Sequence, residues 1–265
     1  DTVNGSDSNA GTSWSAAKVT MAAAAALVTS GGFIYFRGRV AEQVTTPVNV
    51  MDVTVVGVGT RPRHADAAPA GGNLSAQWQV PASPTAATPL VKVIQQGWRF
   101  VNILFDAPAD AACIQFFRNG GAGDAERDAG HSSVYGCRFV GGATGIEDSG
   151  GVGHLLIEDN EFHDLTHGIK SVTGAGIGQP LLRSTIRGNR FRSNTNHLVS
   201  ACQEVHLYDN IFGSFTTLAI DFTGGIGSNI VTGNHLYGTY ALADYIPAAN
   251  DSWNGNAAST GFTAA

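Results

Sequence analysis

The sequence predicts an all-β solenoid, and three observations predict it. A motif recurs with a period in the twenties, apolar residues alternate inside each copy, and the composition is rich in glycine and poor in charge. The motif is an aliphatic residue, two variable residues, Asn, one variable residue and a large apolar residue. It runs from Val134 to Phe139, Ile157 to Phe162, Ile186 to Phe191, Leu207 to Phe212 and Val231 to Leu236. Its asparagines are Asn160, Asn189, Asn210 and Asn234, with Cys137 in the first copy, so the spacings are 23, 29, 21 and 24. A period of that size marks stacked coils that each bury one face on a neighbour.

Composition narrows the function classes. Charged residues are 14% and hydrophobic residues 43%, too apolar a balance for a disordered chain. With 34 glycines among 265 residues, a turn-rich β protein is favoured over a helix bundle. Fifteen basic against twenty-one acidic residues give a net charge of −6, which argues against nucleic acid and against insertion into or adhesion to an anionic membrane. The longest apolar run, Met21 to Val28, is far too short to span a bilayer. Cys113, Cys137 and Cys202 are too few and too far apart for a disulfide framework or a cysteine zinc site. The sequence opens at Asp1 without methionine, which points to processing or trimming and leaves any leader segment unread.

Taken in chain order, Ser15 to Val28 is the one good helix candidate. It is alanine-rich, has Ser13 or Ser15 as N-cap and is stopped by Gly31 and Gly32, so a capping helix over about residues 13–30 is expected. Its expected task is to cover the open end of the stack. Asp52 to Gly59 is an alternating strand. Arg61 to Pro89 reads as a long excursion, and Asn119 to Gly130 as a second one. Between them, Phe100 to Phe105 aligns with Val134 to Phe139.

In the later coils, Leu155 with Ile157 and Val205 with Leu207 alternate as strands do. Asp159, Gly188, Asp209 and Gly233 precede the asparagines, where a corner needs left-handed backbone. A second apolar pair follows each corner, as in Gly168 and Ile169, so each coil has at least two strands. Coils are expected over residues 1–240. Residues 241–265 leave the pattern and are expected to form an end cap or a subunit contact.

The opening Asp1 to Trp14, the alanine-rich helix and Phe33 to Glu42 resemble the start of pectate-lyase-like right-handed parallel β-helix proteins. The later coils resemble that superfamily's repeat. The resemblance implies a right-handed single-stranded parallel β-helix. It extends to polysaccharide lyases and hydrolases, bacteriophage tailspikes and other virion surface proteins, and so does not choose between them. The polygalacturonase-like signature set, a pectate-lyase calcium cluster and its Arg-centred motif are not recognised here.

A glycosidase needs two carboxylates about 5–9.5 Å apart. The stacking register instead places Glu158 beneath Arg187, Glu161 between Arg138 and Arg190, and Glu147 beneath Lys170. Such alternation reads as a ladder of cross-strand ion pairs. Asp148 and Asp221 occupy equivalent positions by counting, with Ser171 and Ser200 between, about 14 Å apart at sheet spacing. Asp164 forms a local cluster with His163 and His167. Asp148, Asp164 and Asp221 are therefore the catalytic candidates if the protein is an enzyme, and no metal or cofactor is expected. The asparagines and Phe139, Phe162, Phe191 and Phe212 read as stacked interior. Trp78, Tyr135, Tyr208 and Tyr237 are the aromatics expected to face out.

The preferred reading is a non-enzymatic structural protein of a virion surface, either a capsid decoration or a tail or spike component. It would be a trimer in contact with other virion proteins, with surface polysaccharide as a further ligand. The motivating apolar groups are Leu74, Trp78 and Val80 in the first excursion and Ile246, Trp253 and Phe262 near the end. The rival reading is an extracellular polysaccharide depolymerase, lyase or hydrolase.

Overall fold

The computed structural model describes residues 1–59, 76–106, 108–118, 128–172, 181–237 and 245–258. Among the described residues there are three parallel sheets, two of nine strands and one of eight. Sheet A starts at Phe33–Phe36 and ends at Ser252–Asn254, sheet B runs from Arg39–Val40 to Ala257–Ala258, and sheet C from Val44–Thr45 to Tyr245–Ile246. Consecutive strands belong to different sheets and each pairs with its counterpart one coil away. This is the expected right-handed, single-stranded parallel β-helix.

The repeat lies in the register that the sequence gives it. Val134, Ile157, Ile186, Leu207 and Val231 pair in succession and are buried. Phe105, Phe139, Phe162, Phe191 and Phe212 stack with centroids 5.1, 4.9, 4.7 and 4.9 Å apart. Parallel pairing in register places ring on ring, so the column is packed core. Gly136, Asp159, Gly188, Asp209 and Gly233 all have φ between 55 and 66°, the left-handed corner expected before the asparagine.

The asparagines hold those corners. Asn160 Oδ1 accepts from the Cys137 N–H at 2.9 Å, and Asn189, Asn210, Asn234 and Asn256 each accept likewise from the residue one coil earlier. Each side-chain amide then donates to a strand carbonyl, as Asn189 does to Ile157 at 2.8 Å. Buried corner N–H groups that no strand reaches are satisfied in this way.

Several expectations are corrected. The helix is shorter and later than expected: a single 3₁₀ turn, Trp14–Ala16, is capped by Ser13, and the α-helix is Met21–Leu27 with Thr20 as N-cap. The interruption has a cause. Asp7 accepts from the Val19 and Thr20 N–H groups at 3.0 Å each, which fixes that stretch outside a helix. Glu42 accepts from Met21 and Ala22, so the first helical turn is satisfied from the coil below. Met21 and Ala25 pack on Ile34, Phe36 and Val40, and the helix covers the end of the core as expected.

The coils do not stop at 240. Tyr245–Ile246, Ser252–Asn254 and Ala257–Ala258 pair with all three sheets. Trp253, Asn256 and Ala258 repeat the motif with Trp for the aliphatic residue and Ala for the large one. The first excursion likewise contains core. Trp78 is buried in sheet B, stacks 6.0 Å from Phe105 and donates its indole N–H to the Glu42 carbonyl. Residues 60–75, with Leu74, residues 119–127 of the second excursion, and residues 259–265, with Phe262, lie outside the described residues.

Candidate functional site

The three candidate aspartates are not brought together. Asp148 points into the coil, in line with Phe116 before it and Ser171 after it. It is fully buried, and its carboxylate accepts from the Val152 N–H at 3.0 Å and from the Leu181 N–H. Burial pushes its pKa up to about 7, while those backbone donors pull it down. Ser171 continues the inward track and donates to the Ser200 hydroxyl at 2.9 Å. Asp148 thus anchors the turn that follows its strand.

Asp221 is not its equivalent. The strand Phe215–Asp221 has seven residues where its neighbour Asn194–Val199 has six, and the register shifts between Asn194 and Asn196. That one extra residue brings Asp221 opposite Val199 rather than Ser200, and so onto the outer face. Its carboxylate there accepts from the Thr223 N–H at 2.8 Å.

Asp164 has a left-handed φ of 55° and a side chain 60% exposed. Its Oδ2 lies 2.9 Å from His163 Nδ1, and His163 Nε2 lies 3.0 Å from an Arg192 guanidinium nitrogen. Arg192 can only donate, so Nε2 accepts and Nδ1–H donates to Asp164. The nitrogen that a general base would offer is thereby occupied. His167 is in sheet C, between Thr144 and Asn196 in the ladder, and belongs to a different face.

The ion-pair ladder is present in part. Arg187 approaches Glu158 at 2.7 Å and donates to the Tyr208 hydroxyl at 2.9 Å. Arg138 stands 3.9 Å from Glu161, with Arg190 opposite on the next coil. Glu147 is in register with Lys170 but accepts from Gln115, one coil earlier, at 2.7 Å. Tyr135 and Tyr237 face solvent as expected, Tyr208 is half-buried beneath Arg187, and Trp78 is core. The three cysteines are free and buried, and burial raises the Cys113 and Cys202 thiols well above their ordinary value. Among the described residues no group of three or more His, Cys, Asp or Glu side chains could hold a metal ion.

One residue was not singled out from sequence. Asp106 ends a strand of sheet B at the position where later coils carry Val140 and His163. Partial burial raises its pKa, and the Arg39 charge opposes the rise. Its sequence signal is an acid in an otherwise apolar run, Ile103 to Phe105.

No protein-family model matches the sequence, and no curated protein matches it. Solved structures that resemble this chain include two, both at low identity. The DFA-IIIase from Arthrobacter chlorophenolicus A6 without its lid shares 13% identity at a TM-score of 0.33, over 86% of this chain and 79% of that one. The Dettilon tailspike protein shares 10% at a TM-score of 0.29, over 86% of this chain and 62% of the tailspike. With its three parallel sheets, its stacked corner asparagines and its helix over the first coil, the chain is built as a right-handed parallel β-helix.

Proposed function

We propose that this β-helix is a non-catalytic structural component of a virion surface, a capsid decoration or a tail or spike part. The observation that carries the reading is the engagement of its acids. Asp148 is tied to two backbone N–H groups, Glu158 to Arg187 and Asp164 to His163, each in a bond that stabilises a turn or a ladder. A catalytic carboxylate must instead be free to exchange a proton or attack a sugar carbon. Residues that the sequence offered as surface for self-association, Trp78 and Trp253, pack within their own chain. The proposed trimer therefore rests on the remaining exposed face of sheet A, with Tyr135 and Ile230.

The test is location and activity together. Mass spectrometry and labelling of purified particles should find the protein on the virion surface, and sedimentation should find a trimer. Purified capsular and plant polysaccharides should release neither reducing ends nor unsaturated sugars. Sustained release would overturn the reading. The rival depolymerase is favoured by one feature, the partly buried carboxyl of Asp106 at the end of its strand, where burial raises the pKa in the direction that suits a general acid. Any activity abolished by Asp106→Asn would establish it.

A further inference from the structure

Asparagine stands before glycine at three places, Asn4–Gly5, Asn119–Gly120 and Asn254–Gly255. Glycine has no Cβ to shield its nitrogen, so the amide after such an asparagine is well placed to attack the side-chain carbonyl. The fold decides whether that nitrogen is free to do so. Residues 119 and 120 lie outside the described residues.

The two described pairs differ. The Gly5 N–H donates to the Asp1 carbonyl at 2.9 Å, and the space over Gly5 is filled by the Asp1 and Lys18 carbonyls. Asn254 and Gly255 are both exposed, at the corner that follows Ser252–Asn254. At equivalent corners the Gly136, Asp159, Gly188 and Asp209 N–H groups donate to a carbonyl of the next coil, at 3.1, 3.1, 3.3 and 3.4 Å. The Gly255 N–H meets no backbone acceptor among the described residues, and a Cβ on Gly255 would have only the Thr232 hydroxyl near it, at 3.6 Å. The Asn254 side-chain amide donates to the Ser252 hydroxyl at 2.7 Å, a bond open to water. Ring closure needs rotation of the Asn254 backbone. Its strand pairs on one side only among the described residues, so that rotation takes a local opening rather than global unfolding.

We propose that Asn254 is a site of spontaneous deamidation, and that its isoaspartate product releases the hold of this coil on Asn234. The Gly255 nitrogen gives up its proton and bonds to Asn254 Cγ, and the Cγ–Nδ2 bond breaks with loss of ammonia. Water then opens the five-membered imide. Opening at Cγ leaves aspartate. Opening at the main-chain carbonyl leaves isoaspartate, with the chain running through Cγ. Water is consumed, ammonia is released and one negative charge is gained. Isoaspartate also adds one methylene, about 1.5 Å of main chain. Two residues on, Asn256 Oδ1 accepts from the Asn234 N–H at 3.0 Å and from its side-chain amide at 2.9 Å. A shift of about 1.5 Å takes both bonds out of range, and buried Asn234 loses that acceptor.

The test is incubation of the folded whole chain at mildly alkaline pH, followed by peptide mapping with mass spectrometry that separates asparagine, aspartate and isoaspartate. Asn254 should convert at least about tenfold faster than Asn4, and in concentrated urea the two should convert at similar rates, because unfolding frees both glycine nitrogens. Amide exchange at Asn234, followed by NMR, should quicken in the isoaspartate fraction. It should be unchanged in Asn254→Asp, which adds the charge without lengthening the chain, and in incubated Asn254→Gln, whose longer side chain closes the ring far more slowly. No conversion of Asn254, or conversion of Asn4 at the same rate in the folded chain, would overturn the site. Unchanged exchange at Asn234 in the isoaspartate fraction, or equal quickening in Asn254→Asp, would overturn its consequence.

Discussion

The Asn189 side-chain oxygen accepts two hydrogen bonds from Asn160, one from its backbone N–H at 2.9 Å and one from its side-chain amide at 3.0 Å. All of these atoms are buried, so the pair cannot exchange partners with water. Asn189→Leu would strand two donors on Asn160 and the Ile157 carbonyl that Asn189 serves. Each buried group left unpaired costs about 1–3 kcal/mol, so with three such groups a loss of about 3 kcal/mol or more is expected in urea unfolding. A loss below about 1 kcal/mol would mean that the asparagine column is ornamental to stability.

Phe191 lies between Phe162 at 4.7 Å and Phe212 at 4.9 Å and is fully buried. Phe191→Ala should cost about 3–5 kcal/mol, because a rigid stack cannot collapse into the gap. The opposite error is expected at Gly168. An added Cβ there would meet the His197 carbonyl oxygen at 2.6 Å and the Phe191 ring at 2.9 Å. Gly168→Ala should therefore destabilise by about 1–3 kcal/mol despite being a small change. Thermal melts of the two variants would show the paired effect, and a neutral Gly168→Ala would refute the close packing.

These columns were legible because a solenoid writes its core as a repeat. Counting from Asn160 finds the interior phenylalanines without knowledge of any contact. Counting failed where chemistry changed within an unchanged geometry. Trp253 and Ala258 hold coil positions with unusual residues, and Trp78 does so between segments rich in Ala, Pro and Gly. It failed again at Asp221, because one inserted residue in a strand flips its face and leaves no local mark. Asp106 was missed for a third reason: its burial is set by packing around sheet B, not by its neighbours in sequence.

Glu161 is a ladder member between Arg138 and Arg190 and not one of the catalytic candidates. It stands 3.9 Å from Arg138, whose side chain is far more buried than its own. Glu161→Gln keeps the shape and removes one partly screened charge, so stability should change by about 1 kcal/mol or less. Any glycan-degrading activity should be unaltered. An activity loss above about a hundredfold with the fold intact would reveal a catalytic acid.

Two buried groups give the stability opposite pH dependences. His197 donates through Nε2 to the Gly213 carbonyl at 2.9 Å, so its Nδ1 accepts from Asn194 at 3.1 Å, and the ring is neutral. Burial lowers its pKa from 6.5 to about 4. The unfolded chain therefore takes up a proton below pH 6.5 that the folded chain refuses, and stability falls as pH drops from 6.5 towards 4. Asp148 acts in the other direction. Its pKa rises from 3.8 to about 7, so the folded chain holds a proton that the unfolded chain has lost, and stability falls as pH rises from 3.8 towards 7. Chemical unfolding of the native chain, His197→Gln and Asp148→Asn between pH 4 and 8 separates the two. The difference between native and His197→Gln should shrink on acidification, and that between native and Asp148→Asn should shrink on alkalinisation. Parallel curves for the native chain and Asp148→Asn would mean that Asp148 is ionised in the fold and that its backbone donors outweigh its burial.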